Sequence, residues 1–497
     1  MRMNRRSDCQ PQRFRMNVCL INPPYLKRFS RQQRSPAVIK SGTLYYPYWL
    51  SFATGVLQEA DFNSLLIDAV ADNLDFEQCI AKVTGLGADL AVIESSTPSI
   101  ASDLAFCHKL KKRSEKTVVV LVGTHASVLY EQILRDNPTV DIIVIGEYEY
   151  TIRDLACCLS VGGNLRDVKG IVYREDGRSI KTSERPYISD LDALPFVSRI
   201  YKECLDINRY YFSLARHPMV MLITGRGCPN RCFFCLYPQT LHGYQYRFRS
   251  PENVLEELQY IRLELPQVKE IVFEDDTFTA DEKRVIEICR LILKKNIDFG
   301  WFANVRVDTR LETLKAMRAA GLKRCAVGFE SGSQTILDVM AKGTTIEQAI
   351  EFKRYCDRLG ILVHGCFMVG FPGETKQTMQ QTFEFAKKLN CDSVQFYPVF
   401  LYPGTKAYKW AEVNGYIKTK DFAKWLTADG YHSCVLNMPG LNSNEMSDFC
   451  EQAYKKYYLS EKYIALKLKQ SFLNPKEFKR NFRGGANFLF YLTQHRG

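Results

Sequence analysis

GRGCPNRCFFCLYP, residues 225–238, holds three cysteines at Cys-x3-Cys-x2-Cys spacing directly after a predicted β-strand. At this spacing Cys228, Cys232 and Cys235 can each bind one iron of a [4Fe–4S] cubane and leave the fourth iron without a protein ligand. Zinc is the alternative, and it would need a fourth ligand such as His242 or Cys204. The segment therefore predicts a metal centre, which is a reaction site if the metal is a cluster with an open iron.

The cysteine segment opens a series of six β/α units that ends near residue 405. Short β-branched runs alternate there with helix-like stretches, a pattern typical of parallel strands joined by crossover helices. The predicted strands are 219–224, 270–274, 300–304, 324–329, 362–369 and 393–400. Six units predict a partial TIM-like barrel, whose active site faces the carboxyl ends of the strands.

A second β/α series precedes the barrel. Its predicted strands are 17–22, 64–68, 89–94, 117–122 and 141–145. Five such strands predict a doubly wound, Rossmann-like α/β domain that binds ligands outside the carboxyl ends of its strands.

These patterns divide the chain into five parts. A predicted hairpin with Asp176-Gly177 at its turn, followed by Pro186 and Pro195, marks the linker between the two α/β domains. The predicted parts are a basic arm at 1–15, the Rossmann-like domain at 16–160, the linker with its hairpin at 161–216, the partial barrel at 217–410 and a helical basic region at 411–497.

The composition narrows the class of protein. With 497 residues, 46% hydrophobic and 25% charged, the chain is long enough for two or three cores. No apolar run is long enough to span a membrane and the first residues are polar, so we expect a cytoplasmic protein with reduced cysteines. The net charge of +12 comes without a nucleic-acid-binding signature, and nucleic acid is not an expected partner.

The cysteine segment resembles the signature of the radical S-adenosylmethionine (SAM) superfamily, including Phe234 before the last cysteine. This resemblance implies that the open iron binds the methionine part of SAM. It further implies that an electron from the cluster cleaves the sulfonium to give a 5′-deoxyadenosyl radical. A reductant such as flavodoxin or ferredoxin would then be a partner.

Residues 273–279 resemble the second-strand element that holds the methionine amino group in that family. The usual Gly-Gly-Glu is replaced here by acidic residues, so the resemblance assigns Asp275 or Asp276 to the ammonium, which a carboxylate suits. Either aspartate could instead cap the following helix.

Three later segments also match the family in order and at strand ends. Residues 328–333, with Glu330 and Ser331, resemble the element near the ribose, and 370–374, with Gly370 and Pro372, resemble the loop on the adenine side. Residues 402–405 resemble the loop after the sixth strand. Arg306 is assigned either to the methionine carboxylate or to a surface salt bridge.

The Rossmann-like domain resembles the cobalamin-binding modules of the same superfamily. The residues expected to converge on the cofactor are Pro23, Ser95, Ser96, Gly123, Thr124, His125, Gly146 and Glu147. None of the seven histidines has an aspartate two positions before it, so a bound cobalt should lack the histidine ligand of the Asp-x-His-x-x-Gly motif. His125 either contacts the corrin edge or is an ordinary loop histidine.

The domain order resembles the branch that contains anaerobic magnesium-protoporphyrin monomethyl ester cyclase and hopanoid-associated radical enzymes. The first hypothesis is methylation of an unactivated carbon on a small or lipid-like substrate with cobalamin. The alternatives are a radical rearrangement or oxidative cyclisation without methyl transfer, and a cofactor-binding sensor without catalysis.

The C-terminal tail is basic and rich in aromatic residues. Residues 451–497 hold ten Lys and Arg against three Glu, mixed from residue 454 onward with tyrosine, leucine and phenylalanine. Such a mixture suits an interfacial helix on anionic lipid, which would make the protein a peripheral membrane protein. The alternative is a helical flap that packs its apolar face on the barrel.

Overall fold

The structure is a computed structural model and describes residues 16–473. Within that range two mainly parallel sheets are covered by helices, which confirms the predicted α/β class. No helix among the described residues is both long and apolar enough to cross a membrane. The predicted basic arm and residues 474–497 of the tail lie outside the described residues.

The N-terminal sheet has seven strands. They are β1 Asn17–Asn22, β2 Asn63–Asp68, β3 Leu90–Glu94, β4 Val118–Val122, β5 Ile142–Val144, β6 Ile171–Glu175 and β7 Arg178–Lys181. The order is β2-β1-β3-β4-β5-β6-β7, and the first five strands are parallel. All five residues of β3 are buried, because helices cover both faces of the sheet.

Five helices cover this sheet: α1 Tyr48–Glu59, α2 Phe76–Gly85, α3 Ile100–Arg113, α4 Thr124–Asp136 and α5 Glu149–Ser160. Asp75 begins α2 with a capping box, in which its side chain accepts from the backbone of Gln78 and Gln78 reaches back. The alternating strands and helices match the predicted doubly wound pattern.

The hairpin belongs to the N-terminal sheet and not to the linker in which the sequence pattern placed it. Strand β6 pairs antiparallel with β5, and β7 pairs with β6. Ile171 and Val172 of β6 are completely buried, so their apolar side chains extend the core of the first domain. The connection to the barrel therefore begins only after Lys181, and it contains one helix, α6 Val197–Cys204.

The second sheet has the six predicted parallel strands in sequential order. A short antiparallel ribbon, β9 with β10, lies beside it. The strands of this part are β8 Met219–Leu222, β9 Gly225–Arg226, β10 Arg247–Phe248, β11 Glu270–Phe273, β12 Gly300–Val305, β13 Leu322–Glu330, β14 Leu362–Val369 and β15 Ser393–Pro398.

Helices follow the strands as in a partial barrel. They are α7 Leu236–Thr240, α8 Pro251–Glu264, α9 Glu282–Lys294, α10 Leu311–Ala319, α11 Gln334–Val339, α12 Ile346–Leu359, α13 Lys376–Leu389 and α14 Lys406–Val413. Two helices complete the described chain, α15 Ser443–Tyr458 and α16 Glu461–Leu473.

Helix α15 covers the free edge of the barrel sheet. The hydroxyl of Tyr458 accepts a hydrogen bond from the backbone N–H of Val394 in β15 and donates to its carbonyl, both at 2.9 Å. The buried hydroxyl of Tyr457 donates to the Cys391 carbonyl at 2.7 Å. The described start of the tail is thus a packed helix that satisfies the edge strand, as the flap interpretation predicts.

The carboxyl edges of the two sheets face each other. The loop after β1 reaches the end of β11, where the guanidinium of Arg34 donates to the carbonyl oxygens of Glu274 and Asp275. Helix α4 also contacts the loop after β15. Gly404 of that loop lies so close to Val128 of α4 that an added Cβ would be 2.7 Å from the valine side chain. The two carboxyl edges are therefore in contact through these loops.

Candidate active site

The three cysteines lie on the loop between β9 and α7, at the carboxyl edge of the barrel. Gly227 precedes them with a φ of +82°, and a Cβ at this position would lie 2.2 Å from the Gln245 carbonyl oxygen. Only glycine fits this close approach of two backbones. Cys228 and Cys232 are buried, Cys235 is half-buried at the N-cap of α7, and the Asn230 amide donates to Cys228 Sγ at 3.3 Å.

The three thiols influence one another electrostatically. Burial raises the pKa of Cys235 well above its usual range, and the neighbouring Cys232 and Cys228 raise it further. Burial also raises the pKa of Cys232, and the nearby Lys342 ammonium opposes that rise. A bound metal would hold such thiols as thiolates.

The donor set fits a cubane with one open iron, because it consists of three thiols from one loop. A cubane takes one thiol on each of three irons, whereas zinc takes all its ligands on one ion. Within residues 16–473, no group of three or more His, Cys, Asp or Glu side chains is arranged to hold one metal ion. Of the two residues considered as a fourth zinc ligand, Cys204 lies against the backbone of Leu66 in the first domain. His242 Nδ1 lies 3.3 Å from Asp276 Oδ2.

The two aspartates that follow β11, Asp275 and Asp276, have different partners. Asp275 is completely buried and accepts from the backbone N–H and the hydroxyl of Thr224 at 2.6 and 2.7 Å, so it fastens β8 to β11. Asp276 pairs with His242 and with Arg34, each at 3.3 Å. Burial alone would raise the pKa of Asp276, but His242 and Arg34 lower it on balance. Asp276 is therefore the aspartate that already pairs with a cation, Arg34.

Arg34 shows that the end of β11 binds a cation. Its guanidinium donates to the carbonyl oxygens of Glu274 and Asp275 at 2.7 and 2.6 Å and forms an ion pair with the Glu274 carboxylate. Asn304 at the end of β12 donates to the same carboxylate at 3.2 Å. Sequence reasoning missed Arg34, Glu274 and Asn304, and the only available signal for Arg34 was the run of arginines in a predicted loop.

The third and fourth strand ends also meet near the cysteine loop. Glu330 ends β13 with a φ of +62° and pairs with Lys342 at 2.8 Å. Arg306, whose side chain is 12% exposed, forms an ion pair with Asp308 at 2.9 Å and also donates to the Lys342 carbonyl at 3.3 Å. Ser331 is completely buried and its hydroxyl lies 3.1 Å from that of Thr382 in α13.

The loop after β14 touches the cysteine loop. The ring of Phe234 packs against Phe371 with 5.5 Å between centroids. Gly370 has a φ of +98°, and a Cβ there would lie 2.8 Å from Met446 of α15. Pro372, next in this loop, is half-buried.

The loops at the carboxyl edge of the first sheet hold one another. The Ser95 hydroxyl donates to the Val122 carbonyl at 2.7 Å, and a Cβ at Gly123 would lie 2.2 Å from the Ser95 carbonyl. His125 Nδ1 lies 3.0 Å from the Thr97 hydroxyl, and burial lowers the pKa of His125 to about 3. The imidazole is therefore neutral and hydrogen-bonded.

The other residues predicted to contact cobalamin lie at separate points along the carboxyl edge of the first sheet. The Pro23 carbonyl accepts from Arg31 at 2.6 Å, and the hydroxyl of Ser96 lies 2.8 Å from that of Ser99. Thr124 is the first residue of α4. Gly146 has a φ of +74°, and its backbone N–H donates to the Ser127 hydroxyl at 3.0 Å.

Glu147 is held by the barrel domain. Its carboxylate accepts from Arg247 at 2.7 and 2.9 Å, and from the backbone of Ile188 at 2.8 Å. Arg226, two residues before Cys228, pairs with Glu149 at 2.6 Å with its side chain 1% exposed. Its guanidinium lies 4.7 Å from the ring centre of Trp49. Sequence reasoning assigned Glu147 to cobalamin and missed these partners, which come from distant parts of the chain.

Comparison with known proteins gives matches over both domains. The model of the Radical SAM superfamily matches residues 222–386, and that of the B12 binding domain matches 34–156. An uncharacterised methyltransferase from Pyrococcus horikoshii is 31% identical over 450 residues, covering 90% of this chain and 94% of its own. Anaerobic magnesium-protoporphyrin IX monomethyl ester cyclase from Rubrivivax gelatinosus is 26% identical over 446 residues, covering 88% and 77%.

Two solved structures share the fold. The radical SAM methyltransferase TsrM from Kitasatospora setae, solved with cobalamin and a [4Fe-4S] cluster, aligns with a TM-score of 0.65 at 17% identity over 82% of this chain and 80% of its own. The cobalamin-dependent SAM radical enzyme OxsB aligns with a TM-score of 0.61 at 20% identity over 90% and 62%.

The buried ion pairs between the domains generate a stability prediction. Replacing Arg247 with Gln leaves the Glu147 carboxylate buried with its main partner removed, so the unfolding free energy should fall by about 3 kcal/mol or more. Thermal melting and limited proteolysis after residue 181 measure the effect. The control is Arg178→Gln on the exposed strand β7. Equal melting temperatures for the Arg247→Gln and Arg178→Gln variants would contradict the stabilising role of the Arg247–Glu147 pair.

The cofactors implied by the two matched domains are a [4Fe–4S] cluster, SAM and cobalamin. The three thiols of the cysteine loop suit the first, and the cation-binding end of β11 suits the methionine ammonium. The chain belongs to the radical SAM superfamily and carries a B12-binding domain before its radical SAM domain.

Proposed function

We propose that the protein is a cobalamin-dependent radical SAM methyltransferase that methylates an unactivated carbon of a small molecule. The observation that carries the proposal is that buried ion pairs, Arg226 with Glu149 and Arg247 with Glu147, join the cysteine-loop region to a predicted cobalamin loop. When bound, the cluster and SAM supply a 5′-deoxyadenosyl radical and cobalamin supplies a methyl group. The chain's own contribution is to hold these groups and the substrate close together in the orientation that the reaction needs.

The residues of the barrel edge have separate tasks in this proposal. Asp276 and the carbonyl oxygens of Glu274 and Asp275 bind the methionine ammonium, in the place where Arg34 now donates. Lys342 keeps positive charge near Cys232 and so favours the thiolate. Glu330 faces the ribose and the loop at Gly370 and Pro372 the adenine, as the resemblance implies.

The first domain presents backbone to the proposed cobalamin. Gly123 and Gly146 adopt positive φ values of +108° and +74°, which let the chain turn sharply at the ends of β4 and β5. Pro23, Ser95, Ser96 and Thr124 line the same edge. His125 is neutral and bonded to Thr97, which suits contact with the corrin edge rather than ligation of cobalt.

Cysteine replacement tests the enzyme class. Anaerobically reconstituted protein should hold about one [4Fe–4S] cluster and, once reduced, release 5′-deoxyadenosine from SAM. Alanine at Cys228, Cys232 or Cys235 should abolish both, since each thiol binds one iron. Cys158→Ala, in helix α5, is the matched control and should keep both. Recovery of stoichiometric zinc without iron would refute the proposal.

The products separate the candidate reactions. Methyl transfer releases S-adenosylhomocysteine together with 5′-deoxyadenosine, whereas rearrangement or cyclisation releases 5′-deoxyadenosine alone. Neither product would form in a cofactor-binding sensor.

Cobalt spectroscopy tests the B12-binding site. Protein loaded with hydroxocobalamin and reduced to Co(II) should show no nitrogen splitting from a protein ligand, because the sequence has no Asp-x-His and His125 already bonds Thr97. His125→Gln should leave the spectrum unchanged. Nitrogen splitting that disappears in this variant, or no corrinoid binding at tens of micromolar, would contradict the assignment.

We also propose an electron donor such as flavodoxin or ferredoxin and peripheral contact of the tail with anionic lipid. Helix α16 supports the lipid contact, because Ile464, Leu468 and Phe472 lie one turn apart and are 45%, 54% and 86% exposed. Lys462 and Lys469 on the same helix are exposed as well. Positive charge beside an exposed apolar stripe suits an anionic membrane surface.

Vesicle binding tests the lipid contact. The intact protein should sediment with anionic phosphatidylserine vesicles at low salt and dissociate as salt rises. Replacing Leu468 and Phe472 with Ser should weaken binding about tenfold, since each removes buried apolar area. Leu263→Ser, an exposed leucine on α8, is the control. Intact protein that stays in the supernatant would make the tail a flap only.

A further inference from the structure

The cysteine loop is itself part of the protein surface. Pro229 and Arg231 are exposed, although Cys228 and Cys232 beside them are buried. The guanidinium of Arg231 lies 4.6 Å from the ring centre of the half-buried Tyr244. A molecule that docks on Pro229 and Arg231 therefore touches the loop that carries the proposed cluster ligands.

Three other segments are bonded directly to this loop. The backbone N–H of Cys228 donates to the Gly243 carbonyl at 3.4 Å, and that of Phe233 donates to the Met340 carbonyl at 2.8 Å. The N–H of Ala407, near the start of α14, donates to the Phe233 carbonyl at 3.2 Å. These bonds gather the segments around the cysteine loop into one surface, the loop face, which consists of residues 229–231, 243–246, 340–343 and 404–410.

The charges of the loop face have one sign. Its segments contain no aspartate or glutamate, and their basic residues are Arg231, Lys342, Lys406 and Lys409. Lys342 pairs with Glu330 at 2.8 Å, and Lys409 lies 3.9 Å from Glu412. Arg231 and Lys406 are exposed, and among the described residues neither has a carboxylate within ion-pair distance. Even when the exposed Asp338, two residues before Met340, is counted, positive charge remains in excess.

Aromatic side chains lie between these two exposed cations. The ring of Phe233, two residues after Arg231, packs against Trp410 with 6.0 Å between centroids, and both rings are half-buried. Lys406 precedes Trp410 by four residues on α14, so the two side chains share one side of the helix. The loop face thus has aromatic groups at its centre and positive charge at its rim, which suits a protein partner with an acidic rim.

The loop face also adjoins the third proposed ligand. The amide of Gln239 donates to the Cys235 carbonyl at 2.8 Å, and its oxygen accepts from the backbone N–H of Lys406 at 2.9 Å. Electron transfer between two proteins requires their redox centres to approach closely. The loop face is a surface on which a carrier protein would meet the backbone around all three cysteines.

We propose that the loop face is the docking surface for flavodoxin, an acidic one-electron carrier with an exposed aromatic flavin edge, and that Arg231 and Lys406 attract it. This inference rests on the proposed function, in which the cluster is reduced before SAM is cleaved. The flavodoxin hydroquinone gives one electron to the oxidised cluster, and its flavin becomes the one-electron-oxidised radical. No bond forms or breaks and no proton moves in this step.

Reduction by two donors tests the inference. Cluster-loaded protein is mixed anaerobically with flavodoxin hydroquinone or with photoreduced deazaflavin, a small neutral donor, and the electron paramagnetic resonance signal of the reduced cluster is followed. Arg231→Glu and Lys406→Glu should each slow reduction by flavodoxin about fivefold at low salt, as expected for reversing one exposed charge at an interface rim. Calorimetry should show binding of oxidised flavodoxin weakened by a similar factor. Reduction by deazaflavin should be unchanged, because a small neutral donor needs no docking surface.

Lys315→Glu, at an exposed lysine of α10, is the matched control and should behave as the unaltered protein does. High salt should bring the flavodoxin rates of all variants together, because it screens the reversed charges. Slow reduction of Arg231→Glu by both donors would indicate a damaged loop, and Lys406→Glu, which lies outside the loop, then decides.

Equal flavodoxin rates in Lys406→Glu and Lys315→Glu, equal slowing of Lys406→Glu with both donors, or no binding of flavodoxin to the unaltered protein would overturn the inference. Formation of 5′-deoxyadenosine with deazaflavin is measured on the same samples. If it forms while the flavodoxin rates are equal, only the docking surface is wrong. If it does not form while the variants slow flavodoxin as expected, only the proposed function is wrong.

Discussion

Arg226 is a charged side chain held out of water between the two domains, and the position of the cysteine loop depends on its partners. Its guanidinium pairs with Glu149 of the first domain and lies over Trp49, and Cys228 follows two residues later. Glu147 holds Arg247 in the paired strand β10 in the same way. Removing one member of such a pair leaves an isolated buried charge, so the interface resists separation. The first domain thus fixes the loop that carries the cluster ligands.

The same interface brings residues of the first domain into the barrel site. Arg34 reaches across to the carbonyl oxygens of Glu274 and Asp275, and the half-buried Tyr45 lies near Glu274 and Cys366. Helix α15 covers the opposite edge of the sheet through Tyr457 and Tyr458. The loop that carries Arg34 and helix α15 therefore each cover part of the barrel.

Much of this fold could be predicted from local sequence patterns. All five parallel strands of the first sheet and all six strands of the barrel sheet were predicted, with ends that differ by a few residues, because buried parallel strands are short apolar runs. The spacing of Cys228, Cys232 and Cys235 also predicted the metal centre without help from tertiary structure. What escaped prediction depends on distant partners: the pairing of β6 with β5, and the contacts of Arg34, Arg226 and Glu147. Neighbouring aspartates were likewise indistinguishable until the structure showed Asp275 bonded to Thr224 and Asp276 paired with His242 and Arg34.

The central claim is that cluster and cobalamin act in one space between the facing carboxyl edges. Pulsed electron paramagnetic resonance on protein that carries both the reduced cluster and Co(II) cobalamin tests it most directly, since nearby unpaired electrons broaden and relax each other. The account predicts a measurable interaction between the two spins, which disappears when Cys232→Ala removes the cluster. Two independent spectra, each unchanged by the presence of the other centre, would contradict it.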